Sequence, residues 1–64
     1  MTKPYYMAVN GKKQADPGKS IKEAINNFFS SFPNENACDV YQGVMAGRQF
    51  VADQMSPFEY EREL

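Results

Sequence analysis

Histidine and tryptophan are absent from the 64 residues, and cysteine occurs once, as Cys38. Without histidine the chain lacks the commonest general acid–base group near neutral pH and the commonest zinc ligand. Cys38 therefore has no imidazole to activate it as a nucleophile, and one thiol cannot build a structural zinc site. Nor can it close an intramolecular disulfide. Secreted domains this small normally carry several paired cysteines, so a reducing, cytoplasmic setting is expected. No apolar run approaches the roughly 20 residues that span a bilayer. The segment Met1–Tyr5 lacks the apolar stretch of a signal peptide, Thr2 stands where myristoylation needs glycine, and Glu63-Leu64 is no prenylation box. No membrane association is expected.

Phosphate-binding glycine loops are missing as well. Gly18-Lys19-Ser20 precedes a helical pattern and has the ending of a P-loop. The glycine required five residues before Gly18 is instead Lys13, and Asp16 would repel phosphate. Asp39 and Asp53 are expected to approach each other across a hairpin, and two exposed acids there are read as solvated rather than metal-binding. With no matched acid–base pair, no metal set and no cofactor motif, a non-enzymatic protein is expected.

The residues that are present describe a folded domain. Apolar residues make up 42% of the chain, with five Phe and four Tyr, more than a disordered segment carries. The length suits one domain, 1–64, that buries only about 60% of its extended-chain surface. Such a domain gains from a partner or from self-association. The net charge of −1 conceals two halves. Residues 1–22 hold five lysines and Asp16, a balance of +4; residues 23–64 hold seven acids against Arg48 and Arg62, a balance of −5.

Along the chain, Tyr5, Met7 and Val9 alternate with Tyr6 and Ala8 as on a strand. Asn10-Gly11 is a hairpin turn signal, and Lys12–Ala15 could return as an edge strand or loop. Asp16-Pro17-Gly18 is turn chemistry. Ser20-Ile21-Lys22-Glu23 forms a capping box that opens a helix. Ile21, Ala24, Ile25, Phe28, Phe29 and Phe32 then recur on one helical face, until Pro33 ends the helix.

Residues 38–53 admit two readings. As a helix, they would bury Gly43 and Gly47 at about 1 kcal/mol each and leave Phe50 in water. As a hairpin turning at Ala46-Gly47, they put Gly47 in the turn and lay Phe50 over the gap at Gly43. The hairpin is preferred. Ser56-Pro57-Phe58-Glu59 has the order of a helix start, predicting a two-turn helix from Pro57 to about Glu63. Residues 56–64 would then be a short docking helix or a mobile tail. The fold expected is α+β, a small antiparallel sheet packed on one amphipathic helix, β-α-β-β with a short C-terminal helix. The alternative is an N-terminal hairpin followed by two or three helices.

Three features could carry binding. The C-terminal segment presents Phe58 and Tyr60 among Glu59, Glu61 and Glu63, aromatic anchors with charges that steer toward a basic protein. A sheet edge could take a partner strand or a second copy, with Tyr41 and Arg48 as suitable anchor types. The basic start carries Lys3, Lys12, Lys13 and Lys19 near Tyr5 and Tyr6, which could stack single-stranded bases. Only two of these lysines are adjacent and no arginine joins them, so protein binding is preferred over nucleic acid. The function expected is a small protein-binding module, an accessory or inhibitory protein such as a phage or mobile element directs at a host enzyme or defence complex. The alternatives are a single-stranded nucleic-acid binder and a structural homodimer or assembly-capping subunit.

Overall fold

A computed structural model describes residues 3–53 and 57–62. Strand β1 (Tyr5–Asn10) turns at Gly11 into the two-residue β2 (Lys13–Gln14). Helix α1 (Ile21–Ser31) follows, then the ten-residue β3 (Ala37–Ala46), β4 (Gln49–Ala52) and β5 (Phe58–Glu61). All pairings are antiparallel, in the order β2-β1-β3-β4, with β5 also on β3. One helix on an antiparallel sheet is the α+β arrangement expected from the sequence.

The helix starts where the capping signature stands. Ser20 has extended backbone, and its hydroxyl accepts from the Glu23 amide at 3.1 Å. Phe32 caps the other end, just ahead of Pro33. The apolar face of α1 lies on the even-numbered side of β1 and β3. Phe28 and Ala24 are fully buried there with Ala8, Val40 and Cys38, while Ile25, Phe29, Phe32, Tyr6 and Tyr60 pack around them. Gly18 allows the approach of the chain to the helix start. It exchanges two backbone hydrogen bonds with Tyr6, and a Cβ there would lie 2.8 Å from the Ala24 amide nitrogen.

Residues 38–53 form the hairpin, which disposes of the helical alternative. Gly47 adopts φ +66° in the turn, and Met45 pairs with Phe50. Gly43 is required by its neighbours, since a Cβ would come 2.7 Å from Phe50 Cζ and would collide with the Val51 carbonyl. The phenyl ring thus covers the position left open by the missing side chain.

The predicted C-terminal helix is not formed; Phe58–Glu61 is a strand on β3. The cap signature at Ser56 is local and falls outside the described residues. A two-turn helix is marginal by itself, whereas Phe58-Glu59-Tyr60-Glu61 alternates with period two. As a strand it satisfies the backbone of β3 residues 37–40 and turns Tyr60 onto the core. The expected approach of Asp39 to Asp53 also fails. Asp39 lies opposite Val9 and Glu59, while the Asp53 amide donates to Gln42 three positions further along β3.

Arg62 fastens β5 to the body. Its guanidinium stacks 4.1 Å from the centroid of the Phe29 ring and donates to the carbonyls of Pro33 and Glu35 at 2.8 and 2.7 Å. Its amide donates to the Asn36 carbonyl at 2.6 Å. The Lys13–Glu35 ion pair ties β2 to the same loop.

This packing sets three stability effects. Phe28→Ala removes the largest fully buried side chain among the described residues and should cost about 3–5 kcal/mol, enough to unfold a domain this small. Phe58→Ala, about half exposed, should cost under about 1 kcal/mol. Gly43→Ala should cost about 1–3 kcal/mol through overpacking against backbone. Urea unfolding followed by circular dichroism measures all three.

Candidate interaction surfaces

The sheet has two faces, and neither is fully covered. On the helix side the limit is length. Eleven helical residues span about 16 Å, whereas the ten residues of β3 span about 33 Å. The helix therefore cannot cover the distal part of the sheet. Val44 and Val51, cross-strand partners on this side, remain 40% and 45% exposed. Phe58, opposite Val40, is 51% exposed, and Ile21 at the first turn of α1 is 38% exposed. Ile21, Ile25, Phe58 and Tyr60 line an open groove of about 510 Å³ between helix and β5, with Lys22 and Asn26 on its rim.

The other face has no helix. Tyr5, Met7 and Val9 of β1, Tyr41 and Met45 of β3 and Phe50 of β4 are half-buried against one another there. Met7, Val9, Tyr41 and Phe50 line a trough of about 650 Å³ together with Gln14, Arg48 and Gln49. Where β5 joins this face, Glu59 stands directly opposite Asp39, and Glu61 opposite Ala37. Like charges in register are unfavourable, by a fraction of a kcal/mol at an exposed position. The three carboxylates border a shallow hollow of about 420 Å³ reached also by Asn10, whose amide donates to the Ala37 carbonyl at 3.1 Å.

The candidate residues read from sequence are thus sorted by the strand alternation. Phe58 and Tyr60 go to the helix side, whereas Glu59 and Glu61 go to the open face with Tyr41 and Arg48. Glu63 lies outside the described residues. The lysines are not brought together. Lys3 precedes β1 at the Gly43 end of the sheet, Lys12 and Lys13 stand at the opposite end, Lys13 is bound to Glu35, and Lys19 adjoins the helix start. Tyr5 faces the open side, and Tyr6 packs toward the core. Missed by sequence reasoning were Val44 and Val51, Asp39 as part of the acidic end, and Arg62 as the clamp. The alternation in β3 and β4 could have signalled the first three. Arg62 carries no signal, since its partners come from a distant loop.

Comparison with protein-family models, with curated proteins and with solved structures finds no match. The site is therefore read from its geometry. Among the described residues no cluster of three His, Cys, Asp or Glu side chains is arranged to hold a metal ion. Among the described residues no helix is long and apolar enough to cross a membrane.

Cys38 is 4% exposed, on the helix side of β3. Burial raises its thiol pKa, and the neighbouring Asp39 charge raises it further. A neutral thiol is thereby favoured in the folded state. Its stabilisation is complete below the ordinary thiol pKa of about 8.5 and is lost as pH rises through the higher folded value. Two outcomes are expected. The thiol should resist a soluble disulfide reagent until the protein unfolds, and the decline in stability above about pH 8.5 should be shallower in Cys38→Ala. Rapid modification of the native protein would contradict the burial.

Proposed function

We propose that this chain is a small non-enzymatic protein-binding module, an accessory or inhibitory protein that works by occupying the surface of a larger protein. The observation that carries this reading is the segregation of the exposed large apolar side chains. Ile21, Val44, Val51 and Phe58 all lie on the helix side of the sheet, two of them along the groove between α1 and β5. Contiguous exposed apolar surface marks an interaction site more often than an ornament of the fold. A groove with aromatic and β-branched walls suits an apolar anchor from a partner. The Lys22 and Asn26 rim would supply the polar border of such an interface.

The partner class that suits this size and charge pattern is a host enzyme or defence complex met by an accessory protein of a phage or mobile element. A nucleic-acid role has weaker support. Its lysines stand at separate places on the molecule, one of them is bound to Glu35, and the open face ends in three carboxylates. Phosphate binding needs clustered positive charge.

The deciding experiment is capture from a nuclease-treated bacterial lysate, with the wild type and a Val51→Asp, Phe58→Asp double variant side by side. One stoichiometric protein held by the wild type at moderate salt should be lost from the variant, with affinity falling at least about 30-fold. Both sites are about half exposed, so the variant should keep its fold. Capture that vanishes with nuclease, or that the double variant retains, would overturn the reading.

A further inference from the structure

The open face of the sheet is chemically polar along its length. At the end where β5 joins it stand Asp39, Glu59 and Glu61. At the far end of the same edge is Arg48, in the turn between β3 and β4, whose side chain lines the trough. β4 and β5 both pair with the edge of β3 that β1 leaves free, so the two charged poles lie on one line. Among the described residues the single salt bridge is Lys13–Glu35, which stands at the acidic end of the sheet but engages none of Asp39, Glu59, Glu61 and Arg48. Between the poles lies the apolar stretch of Met7, Tyr41 and Phe50.

A surface of this kind is complementary to itself. A two-fold axis in the plane of the face and perpendicular to the strands turns the face over and exchanges its ends. It keeps the β4–β5 edge aligned with itself. Arg48 of each copy then meets the Glu59–Glu61 end of the other, and the apolar middles meet at the axis. We propose that the protein forms an isologous homodimer by stacking its open sheet faces, with the Arg48 pole of each copy on the acidic pole of its partner. This occupies the face opposite the groove of the proposed binding function, so dimer and groove can operate together.

The same operator explains two features that are costly in a monomer. The register that sets Asp39 against Glu59 is unfavourable alone and becomes favourable beside a guanidinium from the second copy. Half-buried Met7, Tyr41 and Phe50 become the dry centre of an interface, with charges at its rim. Strand spacing and rise set the scale. The 26 strand residues of the sheet cover roughly 400 Å² per copy. The total of roughly 800 Å² is that of a weak, transient interface, so dissociation in the high micromolar range is expected.

Sedimentation equilibrium from about 1 to about 500 µM tests this. The wild type should pass from monomer to dimer across that range. Arg48→Glu alone, and Glu59→Lys with Glu61→Lys alone, should each weaken self-association at least about 10-fold by setting like charges against each other. An equimolar mixture of the two variants should dimerise again, because both contacts across the axis are then of opposite sign. That rescue also shows that each variant is folded. A wild type that stays monomeric throughout, or pole variants that each dimerise as the wild type does, would overturn the proposal. Val51→Asp with Phe58→Asp, on the opposite side, should leave the dimer unchanged, so failure of the groove reading and failure of the dimer are read separately.

Discussion

β3 carries hydrogen-bonded partners on both edges, and the rest of the molecule is arranged around that double ladder. On one edge β1 pairs with residues 39–43; on the other, β5 pairs with 37–40 and β4 with 43–46. Every backbone group along a buried strand needs a partner, and β3 obtains them from three segments spread over the whole chain. Phe28 then closes the helix onto this ladder, in one buried cluster with Ala8 and Val40. The helix reaches only as far as its eleven residues allow. What lies beyond it on the helix side, and the whole of the opposite face, is left for other contacts.

The two uncovered surfaces differ in chemistry for a simple reason. Side chains alternate across a strand, so one segment can feed both faces with different groups. In β5 the aromatic residues go to the helix side and the acids to the open side. The helix-side groove is consequently apolar, and the open face is charged at its ends. Arg62 makes both possible. Its stacking on Phe29 and its bonds to Pro33 and Glu35 hold β5 on the ladder, and it spends its own charge in doing so. The other arginine, Arg48, has no such tie among the described residues and lies exposed on the surface.

The elements set by short-range chemistry were legible in the sequence. Ser20 and Pro33 bound the helix, Asn10-Gly11 turns the first strand, and Gly43, Gly47 and Phe50 together make sense only as a hairpin. The alternation in Tyr5–Val9 also told which residues share a face. The end of the chain was misread, because Ser56-Pro57-Phe58-Glu59 has the order of a helix start and its competing period-two pattern is only four residues long. Local capping is worth about 1 kcal/mol, less than what a free edge of β3 offers a segment able to pair with it.

The candidate site divides along the same line. Composition settled the lack of histidine-based chemistry, and the spacing of apolar residues settled the helix face and the hairpin. Both depend on residues that are neighbours in the chain. Which acids stand together, which lysine is bound and which valines remain bare depended on the register of β3 with β1, β4 and β5, and on how far α1 reaches. Apart from the β3–β4 hairpin, those are relations between residues 18 to 38 positions apart. Pairing energies that act through space, not along the chain, decided them, and only the tertiary structure displays their result.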